Sequence, residues 1–347
     1  MSATANSDLM TVPETEREDF ERVVEEIRDG ERFLVTTHQN PDGDALGSLL
    51  GMHELLRAMG KDSVMFMAAD QFPLPPEYRH IPLEQVVSEP PADAADRVAV
   101  FLDCGNIERM PVDFLLRDGV HILNIDHHHD NTRFGTVDLV MPAVSCAAEI
   151  VFRLAKALGV EPTPVMATAL YVGLITDTGR FMYENTTPDA HRMAAELLES
   201  GVAAHQVYRQ VFEGLPAQRL LLLGRALSRL ERFEGGAFTL THLTAEDFSA
   251  TGSDESDSEG VVDYFRAVEG TAVGALIRAR LQNGTDDSRK VSLRATDERV
   301  DVSVIARGFG GGGHRQAAGF FTDLAFDDLV ARLRREIAAQ LGDGAGP

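Results

Sequence analysis

The sequence has no tryptophan, two cysteines and, among its 32 basic residues, only the lysines Lys61, Lys156 and Lys290. Two thiols, Cys104 and Cys146, cannot staple a chain of 347 residues, so a disulfide scaffold is excluded and reduced thiols in a reducing compartment are expected. No window approaches the roughly 18 uncharged apolar residues that a membrane span requires. The stretch through Thr15-Glu16-Arg17-Glu18 lacks the basic-then-apolar pattern of a secretory signal. A cytoplasmic protein with no membrane partner is expected. Positive charge is scarce as well: 55 acidic residues against 32 basic give a net charge of −23. A field of that sign repels long polyanions, which argues against a broad basic groove for long duplex nucleic acid and leaves short or compactly gripped ligands. The plain reading of the charge is a solvating surface, tuned for solubility or for a salty cytoplasm.

What is present is a globular composition, 44% hydrophobic and 25% charged, in a length that suits about two domains. The first eighteen residues are polar and aperiodic and read as a tail. Beyond them, short apolar or β-branched runs alternate with helix-length amphipathic stretches: Phe33–Thr37, Ala45–Met59, Ser63–Met67, Val98–Leu102, Val120–Ile125 and Cys146–Leu158. That alternation predicts an α/β fold whose larger domain, residues 19–205, has a mostly parallel sheet flanked by helices. The run Ala167–Thr176 is apolar throughout, and its alanines favour helix over strand. A helical linker over 206–235, built on the Leu- and Arg-rich run Ala217–Phe233, then leads to a smaller α/β domain over 236–341. Its acidic stretch Thr251–Glu259, with Asp254, Glu255, Asp257 and Glu259, reads as a mobile solvated loop, since no histidine or apolar residue accompanies the carboxylates. No internal repeat is present.

Ionisable residues gather where these elements end. His38-Gln-Asn-Pro-Asp-Gly-Asp44 lies between a strand and a helix, the usual place for a site in an open α/β sheet. Helix capping explains one aspartate there, not a histidine and two aspartates. The strand Val98–Leu102 ends at Asp103, and the strand Val120–Ile125 ends at Asp126-His127-His128-His129-Asp130. The apolar segment ending at Thr176 delivers Asp177-Thr-Gly179. Four segments ending in Asp or His predict a carboxylate-rich metal centre. Near the C-terminus, Gly308-Phe-Gly-Gly-Gly-Gly313 fits the dinucleotide pattern G-x-G-x-x-G, but it follows a short helix, Val302–Arg307, so a nicotinamide-dependent oxidoreductase is rejected. Bared glycine amides instead suit an anion-binding nest.

In this order, His-x-Asn-Pro-Asp-Gly-Asp, a strand-end Asp, Asp-His-His, Asp-Thr-Gly and Gly310-Gly-Gly-Gly-His-Arg-Gln-Ala-Ala-Gly319, the chain resembles the DHH phosphoesterase family with its C-terminal DHH-associated domain, over residues 19–341. The resemblance implies two divalent ions, manganese first and magnesium, cobalt or iron as substitutes, which activate a hydroxide. It assigns His38, Asp42 and Asp103 to one ion, and Asp44, Asp103, His127 and Asp177 to the other. It further implies that His128 faces the phosphate, with Asp126 orienting a histidine. Arg294, His314, Gly311, Gly312, Gly313 and Asn40 are expected to contact substrate, while His129 has no assigned role. The size matches the oligoribonuclease and 3′-phosphoadenosine-5′-phosphate phosphatase group, so short RNA oligonucleotides and small nucleotides are the expected partners. Hydrolysis of cyclic di-AMP or its linear product is the alternative within the class, and an inactive nucleotide-binding regulatory module the alternative outside it. Inorganic pyrophosphatases carry a different C-terminal signature, and a homodimer stays open.

Overall fold

The computed structural model describes residues 12–109, 115, 119–281 and 288–342. The chain divides into two compact units, Met1–Gly214 and Leu215–Pro347. Most of the expected tail lies outside the described residues, and the chain is helical from Arg17.

In the first unit the elements run α1 (Arg17–Asp29), β1 (Arg32–Thr37), α2 (Gly43–Ala58), β2 (Asp62–Met65), β3 (Val98–Leu102), β4 (Ile122–Asp126) and β5 (Val137–Val140). Helices α3 (Ala147–Leu158), α4 (Pro164–Asp177), α5 (Pro188–Glu199) and α6 (Ala204–Phe212) follow. The strands form one parallel sheet in the order β2-β1-β3-β4-β5. Its inner strands are nearly continuous apolar runs because both faces are buried, one under α1 to α4 and the other, with Leu34, Ala99 and Phe101, under Phe66, Ala94, Leu115 and Val120. From β1 the chain passes through α2 to the outer strand β2, then returns to the opposite side of β1 as β3. That reversal opens a crevice at the carboxyl ends of β1 and β3, where open α/β sheets hold ligands. His38 follows the first strand and Asp103 the second.

Helix α4, apolar all round, is largely buried from Met166 to Ile175, in keeping with the helical reading of Ala167–Thr176. Glycines let it approach α2 closely. A Cβ on Gly47 would stand 2.4 Å from the Ala169 carbonyl oxygen, and one on Gly173 would stand 2.7 Å from Asp44 Oδ1. The closeness carries Asp44, in the first turn of α2, and Asp177, at the end of α4, toward one point.

The second unit comprises α7 (Ala217–Leu227), β6 (Glu231–Phe233), β7 (Phe238–Leu243), α8 (Ala245–Thr251), α9 (Val261–Arg266), β8 (Val273–Ala279), β9 (Arg289–Ala295), α10 (Val302–Arg307), β10 (Gly312–His314), β11 (Ala317–Thr322) and α11 (Phe326–Gly342). The mixed sheet has the order β10-β11-β9-β8-β7-β6, with β7 and β8 parallel and the other pairs antiparallel. One face packs Val291, Leu293 and Phe320 with Leu329, Leu333 and Ile337 of α11, and the other packs Leu276 with Leu222, Phe248 and Phe265.

Two expectations are corrected. The stretch 206–235 is not a single helix: α6 ends at Phe212, α7 starts after Pro216, and Glu231–Phe233 pairs with β7 as a strand. Pro216 cannot donate an amide to a continuing helix, which makes the break. The acidic stretch 251–259 is ordered by its own carboxylates. Asp254 and Asp257 form a capping box around a short 3₁₀ turn, Asp257 is buried, and Glu255 binds Arg278 Nη1 at 2.5 Å and the Leu281 amide at 2.6 Å.

Candidate metal centre

Among the described residues, three groupings bring one ligand atom per residue within 4.8 Å of one another: His38, Asp42 and Asp103; Asp44, His127 and Asp177; and Asp103, His127 and His128. Asp103 and His127 each belong to two of them, so the six expected ligands converge on one centre. His127 Nε2 stands 3.5 Å from Asp103 Oδ1, 3.8 Å from Asp177 Oδ2 and 4.0 Å from Asp44 Oδ2.

Neighbours hold each group in place. Asp44 is buried against the start of α3, where its two oxygens accept the amides of Ala147 at 2.6 Å and Ala148 at 2.9 Å; the positive end of the helix dipole favours a carboxylate there. Asp42 Oδ1 accepts the amides of Asp44 and Ala45, so the residue caps α2 while contributing to the first grouping. Asn185 Nδ2 donates to Asp177 Oδ2 at 2.9 Å. His38 Nδ1 is 2.7 Å from the Gln39 carbonyl and its Nε2 is 3.5 Å from Asp103 Oδ2, so the tautomer protonated on Nδ1 would turn Nε2 to a cation held with Asp103. Asp103 itself takes a left-handed backbone, φ 55°, a conformation that costs a side-chain-bearing residue about 1–2 kcal/mol and that gathers at functional sites.

Charge is unbalanced here. Burial, reinforced by the neighbouring Asp103, holds the Asp44 carboxyl well above the usual range, and burial pushes Asp177 up to about 6. Burial opposes charge on His127, but the Asp103, Asp44 and Asp177 carboxylates outweigh it and push the imidazolium up to about 10. Burial likewise opposes charge on Asp103, yet the flanking His127 and His38 hold it below the usual carboxylate range. Among the described residues, the buried Asp103 Oδ1 has no hydrogen-bond partner. Four carboxylates, two imidazoles and an orphaned buried oxygen fit hard divalent cations, which would discharge the cluster and supply the missing partner.

His128 stands beside the ligands. Its Nδ1 donates to the fully buried Asp126 Oδ1 at 2.7 Å, which raises the ring's pKa, so that in the imidazolium form Nε2–H is a second donor. Asn131 Nδ2 fixes the other Asp126 oxygen at 2.6 Å. His129 is exposed and belongs to none of the groupings. Asn40 is exposed with φ 53°, and its backbone amide donates to Gln71 Oε1. Sequence reasoning missed Asn131 and Asn185, which orient carboxylates, and Arg109, whose Nη2 lies 3.0 Å from His38 Nδ1. The available signal was an amide side chain a few residues beyond each strand-end or helix-end aspartate.

The substrate-contact candidates of the second unit form a separate group. Arg294 on β9 is opposite Ala317 of β11, which is opposite His314 of β10, so the positions align across three strands. Arg294 Nε lies 3.6 Å from Asp263 Oδ1. The expected glycine nest is instead an edge strand. A Cβ on Gly311 would stand 2.3 Å from the Gly319 carbonyl, and one on Gly313, φ 136°, 2.4 Å from the Ala317 carbonyl. These glycines are needed for close passage of β10 along β11, and of the three only Gly312 borders open space.

Comparison with known proteins agrees with this geometry. Residues 32–174 match the DHH family, N-terminal domain, and residues 243–339 match the DHHA1 domain. The chain is 35% identical, over 311 residues covering 88% of it and 90% of the relative, to a Thermus thermophilus protein named bifunctional oligoribonuclease and PAP phosphatase NrnA. A Bacillus subtilis protein of the same name is 27% identical over 292 residues, 83% of this chain and 88% of that one. In fold it is similar to the crystal structure of an exopolyphosphatase-related protein from Bacteroides fragilis, with a TM-score of 0.83 at 23% identity over 93% of this chain and 96% of that chain. RecJ in complex with Mn2+ from Thermus thermophilus has a TM-score of 0.55 at 16% identity, over 96% of this chain and 56% of that chain. With both domains matched in order and a relative of this identity aligned along most of both chains, the protein belongs to the DHH phosphoesterase family.

Proposed function

We propose that this phosphoesterase hydrolyses very short RNA oligonucleotides to mononucleotides, and 3′-phosphoadenosine 5′-phosphate to AMP, with two manganese ions as its cofactor. The observation that carries the reading is the convergence of two ligand groupings through Asp103, whose buried Oδ1 has no hydrogen-bond partner among the described residues. The printed names of the Thermus thermophilus and Bacillus subtilis relatives supply the substrate class.

His38, Asp42 and Asp103 would hold one cation, and Asp44, Asp103, His127 and Asp177 the other. Bound there, the cations would supply Lewis acidity toward a phosphoryl oxygen and toward water. The chain does the rest. Asp126 keeps His128 protonated and oriented, so Nε2–H donates to a non-bridging or leaving oxygen as charge develops. Asn185 and the α3 amides hold Asp177 and Asp44 in position, which limits reorganisation on loading. Arg294 of β9 and His314 and Gly312 of β10 contact substrate, with Gly311 and Gly313 letting β10 run close along β11.

The test compares a 5′-phosphorylated RNA dinucleotide, 3′-phosphoadenosine 5′-phosphate and cyclic di-AMP, with manganese or with chelator, and with Asp177→Ala as control. Manganese-dependent turnover of the first two is expected. Turnover of the cyclic compound alone assigns the protein to signalling, and tight metal binding without turnover makes it a binding module.

A further inference from the structure

The turn that follows Asp177 takes no part in the chemistry above, yet its backbone is unusual. Gly179, Arg180 and Phe181 are all left-handed, with φ 53°, 63° and 64°. Such conformations in residues with side chains persist only where the surroundings over-determine them, and here they do. The Arg180 amide donates to the Ile175 carbonyl at 2.7 Å, and its guanidinium lies 5.2 Å from the Phe212 ring centre. The Phe181 amide donates to Thr178 Oγ1 at 3.2 Å, and its ring stacks on His191 at 4.9 Å. The amides of Met182 and Tyr183 both donate to the Thr178 carbonyl at 3.0 Å.

The product of this constraint is a pair of exposed side chains beside the metal centre, Met182 at 81% and Tyr183 at 54% exposure. The tyrosine ring is backed on one side. A Cβ on Gly179 would stand 2.5, 2.6 and 2.6 Å from its Cζ, Cε1 and Cε2 atoms. Near-equal distances to three ring carbons place that point over the ring face, so one face of the ring lies against Gly179 while over half of the residue stays exposed. The turn is tied to the centre as well, because Asn185 Nδ2 binds both Asp177 Oδ2 and the Ser145 carbonyl.

We propose that Tyr183, backed by Gly179 and flanked by Met182, is the stacking platform for a nucleobase of the substrate. The inference rests on the nucleotide-hydrolase reading. A fixed aromatic face suits a planar base, since stacking needs no charge and tolerates any base. In a chain of net charge −23, where long-range attraction for phosphate is weak, such a contact is a natural source of affinity.

The test measures kcat/KM, with manganese, for an RNA dinucleotide and for matched dinucleotides lacking one base at a time. The wild-type chain should prefer the base-bearing substrate over one abasic form by on the order of tenfold, mainly through KM. Tyr183→Ala should bring that ratio close to one, and Tyr183→Phe should restore it. A ratio unchanged in Tyr183→Ala, while the wild type turns over the dinucleotide, overturns the platform alone. No turnover of any dinucleotide by the wild type overturns the oligoribonuclease reading and the platform with it.

Discussion

In the first unit the candidate residues stand at the ends of buried elements: Asp44, Asp103 and Asp126 are 1%, 2% and 0% exposed, and each is fixed by amides, imidazoles or an asparagine. In the second unit Arg294 is part-exposed on a sheet face, its side-chain ion pair is a 3.6 Å contact with Asp263, and Gly312 borders open space. The contrast separates two physical tasks. Holding cations demands convergent, preorganised groups whose mutual repulsion only the cations relieve, whereas contacting a small substrate demands an accessible surface. Lesions at the ligand positions of the first unit should therefore reduce kcat, and lesions on the open face of the second should raise KM.

The largest effect is expected from Asp103→Ala, which removes a member of both ligand sets. Steady-state kinetics should show kcat lower by about a thousandfold or more, against a much smaller loss in His314→Ala. Equal residual rates at saturating substrate would erase the distinction between the units. Metal affinity should also depend on pH. In the metal-free protein His127 is pushed up to about 10 and Asp177 up to about 6, so cation binding must displace a proton from His127 at neutral pH, and from Asp177 as well below about pH 6. Affinity therefore rises with pH and does so more steeply in the acid range. Calorimetry in two buffers of different protonation enthalpy should detect the released protons, and a pH-independent affinity would contradict the charge analysis.

Arg294→Ala is expected to raise KM about tenfold with kcat held within a few-fold, as suits the loss of a charge-assisted contact to phosphate. A fall in kcat at unchanged KM would move Arg294 into the chemical step. Smallest of all is a contrast within the glycine run. Gly313→Ala meets the Ala317 carbonyl at a positive φ and should destabilise the second unit by about 1–3 kcal/mol, whereas Gly312→Ala should change stability by less than about 0.5 kcal/mol. Denaturant melts of the two variants that coincide would remove the assignment of Gly313 to packing.

The same contrast explains what could be read from the sequence. Ligand positions were legible because chemistry fixes the residue type and an α/β sheet fixes the place: Asp103 ends a strand of five apolar residues, and Asp177 ends a buried helix. The groups that orient them were not legible, since Asn131 and Asn185 are ordinary turn residues until the backbone folds them back onto Asp126 and Asp177. Gly311 and Gly313 suggested bared amides, and only strand register reveals that they make room for β11. In the acidic stretch 251–259, composition alone indicated solvent, but Glu255 is paired with the buried Arg278, a residue more than twenty positions away. Leu227 and Glu231 lie in one amphipathic run, yet β6 leaves it because β7 offers an antiparallel partner.

The measurement closest to the central claim is a manganese titration of the metal-stripped chain, with dinucleotide hydrolysis followed in the same samples. The account predicts two ions bound per chain, activity that appears with the second, and loss of both sites' full occupancy in Asp103→Ala. Hydrolysis that survives complete chelation, or full activity with fewer than two bound ions, would contradict it.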